Sequence, residues 1–84
     1  MSAKYYSLTI IKYDNNNKPT TSEMVVIKNF TSLEYYLKNY LGFSDEMRKD
    51  FYFASDNYHP YTHRETWYEL DEIDIFNVET EYEN

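Results

Sequence analysis

The sequence predicts an α+β fold: an N-terminal β-hairpin, one well-capped helix plus a short second helix, and C-terminal strands completing an antiparallel sheet. Three observations predict it. Two runs of β-branched and aromatic residues flank a cluster of turn formers, one stretch carries both the start and the stop signals of a helix, and strand character returns from Glu65 onward. A chain of 84 residues accommodates one domain, residues 1–84.

The hairpin comes first. In Tyr5 to Tyr13, Tyr6, Leu8 and Ile10 share one parity and Ser7 and Thr9 the other, as a half-buried strand requires. Asp14-Asn15-Asn16-Asn17-Lys18-Pro19 is a turn, because Asn and Asp tolerate left-handed backbone and bond to their own main chain. Thr20 to Lys28 then resumes strand character through Met24-Val25-Val26-Ile27.

Phe30 to Gly42 reads as the main helix. Thr31 at the N-cap with Glu34 three residues on makes a capping box, and Phe30 with Tyr35 occupies the positions of a hydrophobic staple. Leu33, Tyr36, Leu37, Tyr40 and Leu41 fall on one face. Gly42, the only glycine, stands where a left-handed C-terminal cap belongs. The sequon-like Asn29-Phe30-Thr31 is better explained as this helix start than as a glycosylation site.

Ser44-Asp45-Glu46 is a second N-cap with acidic residues in the first turn. A short helix is expected from Asp45 to about Phe51, followed by an extended piece, although Phe51-Tyr52-Phe53-Ala54 suits either state. Ser55 to Arg64 is polar, contains Pro60 and reads as a loop. Glu65 to Glu83 is strand-like. Its apolar parity changes between Ile75 and Phe76, which implies a bulge, a bend or a turn into a second strand.

Charge is more informative than any motif. The net charge is −7, with eight basic and seven acidic residues up to Arg64, then eight acidic and no basic residues from Glu65 to Asn84. Such a segment disfavours direct nucleic-acid binding, which needs Lys and Arg, and favours a basic partner. If Phe76, Val78 and Tyr82 point inward, Glu79, Glu81 and Glu83 point outward in a row, with neighbours about 6.6–6.8 Å apart. Glu69, Asp71, Glu72 and Asp74 add a second line of carboxylate, and Trp67, Tyr68 and Tyr82 add contact area. Duplex DNA carries one charge per ~1.7 Å of axis, so two such rows approach its density better than one. The plainer explanation is that these carboxylates solubilise an exposed strand; against it stands the self-repulsion of a segment without a single Lys or Arg.

Other chemistry finds little support. The chain has no cysteine, hence no thiolate nucleophile, disulfide or Cys-based zinc site. One glycine excludes Gly-rich phosphate loops, and no serine sits in a nucleophile elbow. Asp56, His59 and His63 offer metal-ligand chemistry, but Pro60 interrupts the helical spacing that would align the two histidines. The expectation is therefore a non-enzyme with no metal and no cofactor. With no apolar leader or membrane-spanning run, a cytoplasmic location is expected.

At Glu65–Glu83 the chain resembles, in character and not by motif, the small acidic inhibitors that bacteriophages encode against nucleic-acid enzymes: anti-CRISPR proteins, uracil-DNA glycosylase inhibitors and restriction-blocking DNA mimics. The resemblance implies a stoichiometric inhibitor in the host bacterial cytoplasm. It would occupy the basic nucleic-acid groove of a host nuclease or CRISPR effector complex. The alternative is a small interaction module whose acidic strand pairs with the sheet edge of a partner.

Overall fold

The computed structural model describes residues 4–74, the side chains of Lys4 and Asp74 excepted. It is an α+β fold. Strands β1 (Lys4–Tyr13) and β2 (Pro19–Lys28) form the hairpin, helix α1 (Asn29–Tyr35) runs into a π-helical turn (Tyr36–Tyr40), and helix α2 (Asp45–Asp56) comes next. Strands β3 (Tyr61–His63) and β4 (Thr66–Asp74) complete a sheet of order β2-β1-β4-β3. All three pairings are antiparallel.

The hairpin turn uses its Asn and Asp as expected. Asp14 Oδ1 accepts from the backbone N–H groups of Asn16 and Lys18, at 2.8 and 3.0 Å, and Asn17 takes the left-handed φ of 61°. The parity of β1 also holds. Tyr6, Leu8 and Ile10 are buried on one face, together with Ile27 of β2, beneath Leu33, Leu37, Phe43 and Phe51. Both helices pack on this face, α1 against β1 and β2 and α2 against β3 and β4.

The start of α1 differs from the expected capping box. Lys28 is still paired with Tyr5 as the last residue of β2, so the chain must turn at once. Asn29 makes that turn with φ 61°, and its Oδ1 accepts from the Ser32 N–H at 2.8 Å. The cap is therefore Asn29, and not Thr31. Glu34 is engaged elsewhere: it accepts from the Tyr52 hydroxyl at 2.7 Å and lies 4.0 Å from Arg48 Nε. Phe30 packs on Tyr52 of α2, ring centroids 5.5 Å apart, in place of a staple with Tyr35.

The expected apolar face of this helix is also narrower than its spacing implied. In the π-helical turn the Leu41 N–H reaches back five residues to the Tyr36 carbonyl. Widening the turn rotates the residues beyond it, so Leu33 and Leu37 are buried while Tyr40 is 74% exposed and stacks on Tyr36 at 4.8 Å. Gly42 ends the segment at φ 75°, as expected.

Ser44 caps α2 by accepting from the Met47 N–H at 3.2 Å. The helix then runs to Asp56, so Phe51-Tyr52-Phe53-Ala54 is helical and no extended piece comes after Phe51. Phe51 and Tyr52 pack inward while Phe53 projects outward, a division a helix can make and a fully buried strand cannot. The segment from Ser55 to Arg64, expected to be a loop throughout, contains the last two residues of α2 and the three residues of β3. β3 exists because Tyr61 packs on Phe43, Phe51 and Tyr68 at ring distances of 5.8, 6.0 and 5.9 Å. Arg64, at φ 58°, closes the tight turn into β4.

Candidate partner-binding surface

β4 carries the described part of the expected acidic surface, and its register on β1 divides that surface. Successive strand residues point to opposite faces. Leu8 and Ile10 face the helices and oppose Leu70 and Tyr68, so Tyr68, Leu70 and Glu72 belong to the helix-covered face. Trp67, Glu69, Asp71 and Ile73 belong to the open face, opposite Ile11, Thr9, Ser7 and Tyr5.

On the open face, Glu69 and Asp71 are exposed neighbours about 6.6–6.8 Å apart along the strand. Among the described residues neither forms an ion pair. Trp67 flanks them, half-buried, with its ring 6.3 Å from Tyr13. Ser7 is buried between Val26 and Asp71 because its side chain is the shortest in that row. Across β1, the same face continues onto Met24 and Val26 of β2, which are 66% and 58% exposed. Sequence reasoning assigns these two aliphatics no surface role, although the alternation Ser22-Met24-Val26 against Glu23-Val25-Ile27 is visible in the sequence.

Tyr68 is placed differently from Trp67. It meets Phe43 edge-on at 5.0 Å and lies partly buried against the core, and burial raises its hydroxyl pKa, which a hydrogen bond with Thr66 partly offsets. It ties β4 to Phe43, in the loop that precedes α2, and to Tyr61 of β3. Glu72 is exposed on this same side. Asp74 is placed by backbone register alone, opposite Lys4. Glu79, Glu81, Tyr82 and Glu83, and the parity change between Ile75 and Phe76, lie outside the described residues.

β3 ends opposite Tyr68, so among the described residues no strand lies against β4 from Glu69 onward on the side away from β1. Beside this stretch is a groove of about 310 Å³ lined by Ser55, Tyr58, Leu70, Asp71 and Glu72. Position in the sequence does not by itself distinguish Tyr58 from the other tyrosines. It is 95% exposed and holds φ 60° in the Schellman-type end of α2, where the His59 N–H bonds to the Ala54 carbonyl at 2.9 Å. A tyrosine there costs about 1–2 kcal/mol relative to a residue without Cβ, so the fold holds an aromatic ring at the groove at some expense to itself.

The other titrating tyrosines belong to the scaffold. Burial, then the hydrogen bond and negative charge of Glu34, hold the Tyr52 hydroxyl well above its ordinary pKa. Burial raises Tyr36, with Glu23 and Tyr40 adding to the shift, and it raises Tyr61, with Asp50 and Tyr68 adding. Among the described residues no group of three His, Asp or Glu side chains is arranged to hold a metal ion, and Asp56, His59 and His63 do not converge. No helix among them is long and apolar enough to cross a membrane. Comparison with protein-family models, with curated proteins and with solved structures found no match to this chain.

Proposed function

We propose that this protein is a non-catalytic, stoichiometric inhibitor that sets an acidic, aromatic-flanked surface into the basic nucleic-acid groove of another protein. The observation that carries the reading is the row on β4. Glu69 and Asp71 stand side by side on the open face with no ion pair among the described residues, and Trp67 stands next to them. Two exposed carboxylates carried on a strand already paired to β1 need no backbone ordering when a basic surface meets them, and only their side-chain rotamers are fixed. A groove lined with Lys and Arg is the complement, and a bacterial defence nuclease or CRISPR effector complex in the cytoplasm is the class of target this chemistry fits.

The test is charge reversal at Glu69→Lys with Asp71→Lys, read as loss of the protein's ability to displace duplex DNA from the captured partner. Undiminished displacement by a folded double variant overturns the reading.

A second reading is strand addition beside β4. It draws on β3 stopping opposite Tyr68 and on the groove floored by Leu70. Such a complex rests on backbone hydrogen bonds and weakens little with salt, whereas a charge-driven one weakens steeply.

A further inference from the structure

The far edge of the sheet carries a second, unrelated feature. Among the described residues β2, ten residues long, is an edge strand. Natural edges are blunted by short length, proline, bulges or lysine. Here Pro19 and a register irregularity stand at one end and Lys28 at the other. Between them Thr20 to Ile27 contains one charge, Glu23. The edge is long, regular and nearly neutral.

The register sets its hydrogen-bonding direction. The Tyr13 N–H bonds to the Glu65 carbonyl on the β4 side, so the odd residues of β1 bond toward β4 and the even ones toward β2. Ile10, Leu8 and Tyr6 oppose Glu23, Val25 and Ile27, which therefore turn their N–H and C=O groups inward to β1. Ser22, Met24, Val26 and Lys28 turn theirs outward, and these residues also carry the side chains of the open face.

We propose that β2 pairs antiparallel with β2 of a second copy, making one continuous eight-stranded sheet with a two-fold axis at Val25. In this register Val25 meets its own counterpart, Met24 meets Val26 of the other copy twice over, and Ser22 meets Lys28. Both exposed aliphatics gain an aliphatic neighbour on the same face. Moving the axis to Met24 leaves Val26 against Ser22, and moving it to Glu23 sets two carboxylates against each other. Charge selects this edge as well. The described acidic strand β4 lies two strand spacings away, about 9.4–9.8 Å, on the far side of β1, so two copies meet along their neutral edges.

The test is sedimentation of the full chain over a concentration series, with three variants. The chain alone is expected to pass from 10.3 kDa to twice that mass below roughly 1 mM. Met24→Pro removes an outward N–H and no hydrogen bond to β1, and Val26→Lys places a charge on each side of the axis. Both are expected to raise the dissociation constant at least about tenfold with an unchanged circular dichroism spectrum. The natural chain has no cysteine, so Val25→Cys adds a lone thiol. The axis places it in a non-hydrogen-bonded pair with Cα atoms about 4.5 Å apart, a separation a disulfide spans. Oxidation is expected to cross-link it, and to leave Met24→Cys unlinked. A chain that stays monomeric throughout, or a dimer indifferent to Met24→Pro and Val26→Lys, overturns the proposal.

Discussion

On one face of the sheet, Tyr6, Leu8, Ile10 and Ile27 lie beneath Leu33, Leu37, Phe43 and Phe51, with aromatic rings 5.0 to 6.0 Å apart joining α2 and the loop residue Phe43 to β3 and β4. On the other face, the same strands show Met24, Val26, Thr9, Trp67, Glu69 and Asp71, and none of these belongs to the core cluster. The difference teaches which residues are free to serve a partner. An 84-residue chain has a total stability of only about 4–13 kcal/mol, so nearly every large side chain on the covered face is needed for folding. The open face carries residues whose exposure the fold does not require.

The comparison breaks first at Phe51. Phe51→Ala empties a fully buried position where Phe43, Tyr52 and Tyr61 meet edge-on. The expected loss is about 3–5 kcal/mol, read as a collapse of the denaturant midpoint. A loss below about 1 kcal/mol would mean that the two faces are not energetically distinct.

Alkali tests the same face by another route. Tyr36, Tyr52, Tyr61 and Tyr68 are all held above their ordinary pKa of 10.0. Above pH 10 the unfolded chain ionises these hydroxyls before the folded one does, so their contribution is complete below pH 10 and is lost as pH rises further. Melting temperature should therefore fall with pH above 10, and less steeply for Tyr52→Phe.

Helix ends give smaller effects. Ser44→Ala, which removes the cap of α2, should cost about 1 kcal/mol. Gly42→Ala should cost a similar ~1 kcal/mol through backbone strain alone, because φ is 75° and nothing lies within 4 Å of an added Cβ. Tyr58→Gly reverses that logic and should stabilise by up to about 1 kcal/mol. If it also weakens partner binding, the strained tyrosine belongs to the binding surface.

The smallest effect on folding is expected on the open face. Glu69→Lys with Asp71→Lys should change stability by no more than about 0.5 kcal/mol, since both side chains are exposed and neither forms an ion pair among the described residues. Thermal melting checks this.

Much of the fold was legible because single residues carried unambiguous signals: the parity of Tyr6-Leu8-Ile10, the Asn-rich turn, Ser44 before two acids, and the lone glycine after α1. The illegible parts depend on tertiary partners. The capping-box pattern points to Thr31 as the cap, and the reach of β2 to Lys28 moves the cap to Asn29 instead. Phe51 to Ala54 has no periodicity of its own and becomes helical because Phe51 and Tyr52 have aromatic partners across the core. β3 is too short to announce itself. In the candidate site, the sequence pattern sets Glu69, Asp71, Glu72 and Asp74 in one line and Ile73 on the inward parity. The register on β1 instead places Ile73 with Trp67, Glu69 and Asp71 on the open face and Tyr68 and Glu72 on the covered one. The contribution of Tyr58 was not readable, since its place depends on how α2 ends.

The most direct test of the central claim is a pull-down from bacterial lysate with the immobilised chain, eluted in parallel by rising salt and by duplex DNA. The account predicts a nucleic-acid-binding partner released by both, and not retained by the Glu69→Lys, Asp71→Lys variant. A partner held equally well by that variant, and indifferent to salt and to DNA, would contradict it.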